Sequence, residues 1–158
     1  MSQSLVENFV HVIFSTKKRE ALITPDIEIT LYKYLAATWL NLNCQAKRVG
    51  GHVDHVHLLC SISKNISISE FIKEVKEWSS KWMKSEHSRY NFYWQAGYAA
   101  FSVAKGDIES VVSYTDQQHA HHRKHIFQEE FRKLLASNDV AFDERYVRIK
   151  SRVSCGSI

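Results

Sequence analysis

Residues 51–63 read GHVDHVHLLCSIS, and this stretch decides the fold because its side chains alternate between two chemistries. Successive side chains of a strand point to opposite faces, so His55 and His57 share one face while Val56 and Leu58 share the other. Two imidazoles two positions apart on a rigid strand can hold one metal ion between them. Strand histidines are also commonly solvated or hydrogen-bonded, and spacing alone leaves both readings open. His52 has the wrong parity to join His55 and reads as turn or surface. Asp54 points away from the pair, where a structural hydrogen bond suits it better than catalysis.

Just upstream, Gly50 and Gly51 permit the positive φ of a tight hairpin, which would join a strand over Cys44 to Val49 to one over His52 to Ile62. Asn8 to Ser15, NFVHVIFS, is rich in β-branched and aromatic residues and predicts a buried strand in which His11 is an ordinary sheet histidine. The cations Lys17, Lys18 and Arg19 follow it directly. Pro25 marks a helix start, and Ile27, Leu31, Tyr34, Leu35, Thr38 and Leu42 recur at helical spacing as far as Asn43.

Downstream, Ser67 and Glu70 form a capping box, and Phe71, Ile72, Val75, Trp78 and Trp82 make the apolar stripe of the helix behind it. Phe92 to Ala104 returns to strand composition, with Gly97 at a bulge or a close approach. Gly106 and Asp107 open a third helix whose Ile108, Val111, Val112 and Thr115 can pack on the sheet. The basic run HAHHRKH, His119 to His125, leads into an amphipathic helix from Phe127 to Ser137.

The order strand, helix, strand, strand, helix, strand predicts an α+β fold of the ferredoxin-like, split βαβ kind. It has an antiparallel sheet with helices on one face, plus C-terminal helices that carry Tyr114. One domain is expected over residues 1–150, with 151–158 a disordered tail.

A chain of 158 residues with 44% hydrophobic content, including four Trp, seven Tyr and eight Phe, can fill a core, which excludes intrinsic disorder. The net charge of +4 suits a polyanionic partner without demanding one. Cys44, Cys60 and Cys155 are odd in number and widely spaced, so neither a disulfide framework nor a cysteine zinc site is indicated. With no signal-like N-terminus and no run of 18 apolar residues, a cytoplasmic protein off the membrane is expected.

Tyr114 and Gln118 stand four residues apart and so share one helix face. A tyrosine can act as a nucleophile and a glutamine oxygen can ligate a metal. A free phenol, with a pKa near 10, is only about 0.1% ionised at pH 7, so a catalytic tyrosine needs a nearby base and a cation that polarises the electrophile. Histidines and glutamine around Mg²⁺ or Mn²⁺ would supply that polarisation to a phosphodiester. Attack would leave a covalent phosphotyrosine that keeps the energy of the broken bond, and a 3′-hydroxyl could later rejoin the strand without a nucleotide cofactor.

DHVHLL at Asp54 to Leu59 resembles the signature of two histidines flanking a bulky hydrophobic residue, and the chain resembles the single-tyrosine HUH transposases of the insertion-sequence and REP-associated group. The resemblance extends through FVHVIFSTKKRE, WQAGYAAFSV, Tyr114 with Gln118, HHRK at His121 to Lys124, FQEEF at Phe127 to Phe131 and FDERY at Phe142 to Tyr146. Val53 departs from it, since many members carry proline there.

The resemblance implies that His55, His57 and Gln118 ligate the cation and that Tyr114 takes the 5′-phosphate. It also implies single-stranded DNA with hairpin ends as substrate, and a homodimer in which the tyrosine helix of one subunit can complete the histidine site of the other. Lys17, Lys18, Arg19, Arg123 and Lys124 are the candidates for contact with the DNA backbone. His121, His122 and His125 read as a solvated basic face, outside the metal site.

Two other functions compete. One is a domesticated hairpin-DNA-binding protein on the same fold, with little or no transposition activity. The other is a structural metal-binding domain in which the tyrosine is packing.

Overall fold

A computed structural model describes residues 2–147; the tail expected at 151–158 and Cys155 lie outside the described residues. Four strands, β1 (Phe9–Ser15), β2 (Gln45–His52), β3 (His55–Ser61) and β4 (Ala99–Ser102), form an antiparallel sheet in the order β2-β3-β1-β4. Helix α1 (Pro25–Thr38) crosses from β1 to β2, and α2 (Ile68–Glu86) crosses from β3 to β4. Each crossover skips one strand, which is the split βαβ arrangement expected. Among the described residues no helix is long and apolar enough to cross a membrane.

The period-two alternation sorts the sheet into two faces. Val10, Val12, Phe14, Val56, Leu58 and Cys60 pack with Ile27, Leu31 and Leu35 of α1 and Phe71, Ile72 and Val75 of α2. Each such side chain contributes about 1.5–3 kcal/mol on burial. Ser67 caps α2 as expected, its hydroxyl accepting the Glu70 amide at 3.1 Å. Cys44 and Cys60 are buried free thiols.

The other face, bearing His11, Ile13, His55 and His57, is covered by the C-terminal helices: α3 (Ile108–Asp116), α4 (Gln118–His122), α5 (Phe127–Ser137) and α6 (Glu144–Val147). Ile13, Ala99, Phe101, Phe127, Leu135 and Val147 form its apolar part. The sheet is therefore sandwiched, with α1 and α2 on one side and the tyrosine-bearing helices on the other.

Three local expectations are corrected. The β2–β3 hairpin turns at Val53 and Asp54, with His52 paired to His55, and Gly50 and Gly51 lie inside β2. The glycines serve close approach instead. A Cβ on Gly50 would stand 2.7 Å from Thr115 Cγ2 and from the Thr115 carbonyl oxygen, and one on Gly51 would stand 2.2 Å from the His55 oxygen.

The strand expected over Phe92 to Ala104 is confined to Ala99–Ser102. Carbonyls in the preceding loop are taken by Lys76, whose Nζ donates to Gln95 and Gly97 at 2.8 Å each, so they need no strand partner. Gly97 lies in that loop with open space around it, at neither a bulge nor a close approach. The third helix, read as continuous through Gln118, breaks at Gln117, so Tyr114 lies in the last turn of one helix and Gln118 begins the next.

Candidate active site

Strand alternation and antiparallel pairing bring His55 and His57 onto the face shared by His11, and all three imidazoles are buried. His55 and His57 are each held from behind. His55 Nδ1 lies 2.7 Å from Asp54 Oδ1, and His57 Nδ1 lies 2.9 Å from His11 Nε2. Both Nε2 atoms are thereby turned toward the covering helices, the usual way in which a protein fixes the tautomer and aim of a ligating histidine.

From those helices Gln118 Oε1 reaches to 3.2 Å from His55 Nε2, while Gln118 Nε2 donates to the Tyr114 carbonyl at 3.2 Å and to Glu130 Oε1 at 3.1 Å. The break at Gln117 does not separate the pair read from spacing. Tyr114 donates its hydroxyl to Glu130 Oε1, and its ring centre lies 5.6 Å from that of His57. The tyrosine and both histidines belong to one chain.

Two members of this cluster were missed. His122, assigned from sequence to a solvated basic face, has a side chain only 4% exposed, and its Nε2 lies 3.1 Å from Gln118 Oε1. Packing of α4 over β2 and β3 buries it. Glu130, 3% exposed, stands 3.6 Å from His57 Nε2 and 2.8 Å from His122 Nε2. His55, His122 and Glu130 each offer a ligand atom within 4.8 Å of the others. The signal for Glu130 was present, since it falls on the apolar stripe Phe127, Glu130, Phe131, Leu134 of α5, where a carboxylate has no business unless partnered.

The electrostatics follow from burial. Desolvation, reinforced by neighbouring imidazoles, holds His57 well below the ordinary histidine range and brings His122 to about 4, so both are neutral at physiological pH. Burial lowers His11 to about 4 as well. Burial, with help from the Asp54 charge, raises Glu130 to about 8. Burial would also raise Asp54, but hydrogen bonds and charge from His55 and Arg19 prevail and bring it to about 2.

Of the cationic candidates, Arg19 is withdrawn from solvent. Its guanidinium bonds Asp54 Oδ2 at 3.1 Å and lies over the Phe127 ring, which in turn stacks on His55 at 4.3 Å. Lys17, Lys18, Arg123 and Lys124 are exposed. His52, expected at the surface, ends β2 half-buried, with Nδ1 3.0 Å from His119 Nδ1 and its ring stacked on His122.

The family model described as "Transposase IS200 like" matches residues 5–118, well over half of the chain. No curated protein matches. Among solved structures, a candidate transposase from Deinococcus radiodurans R1 superposes with a TM-score of 0.59 at 20% identity, over 75% of this chain and 98% of that one. A REP-associated tyrosine transposase bound to a REP hairpin superposes with a TM-score of 0.57 at 12% identity, over 77% and 74%. At such identities the two structures speak for the fold.

Proposed function

The chain belongs to the IS200-like transposase family, and from that premise we propose that it cleaves and rejoins single-stranded DNA through a 5′-phosphotyrosine on Tyr114, recognising hairpin DNA. One observation carries the reading: Tyr114, His55, His57 and Gln118, scattered in sequence, converge on one buried cluster with their polar atoms facing inward. The hairpin partner is proposed from the REP-associated structural neighbour, which was solved with such a hairpin.

A divalent cation fits this site. His57 Nε2 is buried with no hydrogen-bond partner, and neutral imidazoles beside an amide oxygen are a ligand set. His55, His57 and Gln118 would hold it, as Mg²⁺ or Mn²⁺, and when bound it supplies charge to the non-bridging oxygens of the scissile phosphate.

The chain's own residues do the rest. Tyr114 Oη attacks phosphorus, the new O–P bond forms as the P–O3′ bond breaks, and the 3′ end leaves as a hydroxyl. Glu130, as the carboxylate, takes the phenolic proton along its hydrogen bond at Oε1, and a proton returned from Glu130 or from water caps the departing 3′ oxygen. A 3′-hydroxyl attacking the phosphotyrosine reverses the sequence and joins two strands.

Incubation with Mn²⁺ or Mg²⁺ and labelled single-stranded hairpin oligonucleotides should give a denaturant-resistant protein–DNA adduct that Tyr114→Phe abolishes. Tight hairpin binding with no adduct would turn the reading to a hairpin-binding protein. An adduct from Tyr114→Phe would remove the nucleophile assignment.

A further inference from the structure

His55 and His122 each have a partner that can only accept a hydrogen bond. Asp54 Oδ1 faces His55 Nδ1 at 2.7 Å, and the His125 carbonyl faces His122 Nδ1 at 3.0 Å. Nδ1 of each imidazole therefore carries a ring proton, which leaves Nε2 as the atom that can present a lone pair. The Gln118 amide is oriented just as firmly, because its NH₂ donates to the Tyr114 carbonyl and to Glu130 Oε1, which leaves Oε1 as an acceptor.

Those acceptors point at one another. Gln118 Oε1 is 3.2 Å from His55 Nε2 and 3.1 Å from His122 Nε2, and Glu130 Oε2, which accepts no hydrogen bond, is 2.8 Å from His122 Nε2. Buried acceptors this close need a proton shared between them or a cation among them; a proton on Glu130 Oε2 serves only its contact with His122, whereas one cation serves Gln118 Oε1, both Nε2 atoms and Glu130 Oε2 together. Adjacent ligands bonded to one ion at about 2.1 Å stand roughly 3.0–3.4 Å apart, close to the spacing found.

We infer that His122 Nε2 and Glu130 Oε2 are ligands of the cation together with His55, His57 and Gln118, and that this nitrogen-rich set selects a first-row transition ion, Mn²⁺ being the probe, over Mg²⁺. The inference rests on the transposase reading of the same site and deepens it. Mg²⁺ prefers oxygen ligands and keeps several waters, whereas three imidazoles beside one carboxylate suit the transition series. The two oxygens of Glu130 then divide the work, Oε2 toward the cation and Oε1 toward Tyr114 and Gln118. The cation also ties α4 and α5 to the sheet, so its binding should stiffen the covering layer.

The test needs no DNA. Free Mn²⁺ is followed by electron paramagnetic resonance as metal-free protein is added, with Mg²⁺ as competitor and melting followed with and without Mn²⁺. Wild type should bind one Mn²⁺, resist displacement by a hundredfold excess of Mg²⁺ and melt higher with Mn²⁺. Glu130→Gln, nearly the same shape, and His122→Ala should each weaken Mn²⁺ at least tenfold and lose most of the melting increase. Mn²⁺ affinity within twofold of wild type in both variants, with His55→Ala abolishing binding, would overturn the inference and leave the transposase site standing. Mg²⁺ competing on equal terms would overturn the selectivity. No loss of Mn²⁺ in His55→Ala would overturn the cation reading of the transposase site itself.

Discussion

His11 Nε2 lies 2.9 Å from His57 Nδ1, on the adjacent strand, with the two rings stacked and both buried. The contact aims His57 Nε2 at the covering helices. Replacing His11 by Phe keeps the ring volume and removes the nitrogen, so His57 loses its orienting partner. Mn²⁺ affinity should fall about 10–100-fold, the usual effect of losing a partner behind a ligand. Stability should fall by about 1–3 kcal/mol for the unpaired nitrogen. A Mn²⁺ titration and a denaturant melt measure the two; unchanged affinity would reduce His11 to packing.

Gly50 lets the tyrosine helix settle on β2. In Gly50→Ala the new methyl meets both Thr115 Cγ2 and the Thr115 carbonyl oxygen at 2.7 Å, one residue after Tyr114. Side-chain adjustment relieves only the first contact, so α3 must lift. The expected cost is about 1–3 kcal/mol, typical of overpacking, with a large drop in adduct yield and retained hairpin binding. Thr115→Ala should not rescue the yield, since the carbonyl remains. Adduct formation at the wild-type rate in Gly50→Ala would show that the helix position is not critical.

The legible parts of the molecule were those that local periodicity specifies. Alternation put His55 and His57 on one face, the Ser67 cap and apolar stripe gave α2, and element order gave the sheet. Helical spacing linked Tyr114 to Gln118, and the same step from Gln118 to His122 was available but obscured by the basic residues beside it. The partners of His11 and Arg19 were not legible for a different reason. These, His57 and Asp54, are far off in sequence, and only strand pairing and the turn at Val53 and Asp54 bring them together. Gly50 looked like a turn residue because composition shows that a glycine is permissive without showing what lies above it.

Arg19 and the lysines beside it should separate in their salt dependence. Lys17 and Lys18 are exposed, whereas Arg19 is engaged by Asp54 and Phe127. Removing a phosphate contact lowers the slope of log affinity against log salt by about 0.7–0.9. Lys17→Ala and Lys18→Ala should each do so for hairpin binding, as should Arg123→Ala and Lys124→Ala. Arg19→Ala should leave the slope unchanged and slow adduct formation, because Asp54 and through it His55 lose their support. A reduced slope in Arg19→Ala would return it to the DNA-contacting set.

Glu130 sets the pH dependence of the site. Its folded value of about 8 exceeds its ordinary 4.5, chiefly through burial, so the folded state holds the proton more tightly than the unfolded chain. The stability this contributes is fully present below about pH 4.5 and is lost as pH rises through about 8. Without cation, wild type should therefore lose stability relative to Glu130→Gln across that window. Ligation requires the carboxylate, so Mn²⁺ binding at pH 7 should release close to one proton, and at pH 9 almost none, because His57 and His122 are already neutral. Calorimetric titrations in two buffers of different ionisation enthalpy count the protons. No release at pH 7 would show that Glu130 keeps its proton beside the bound cation and is not a ligand.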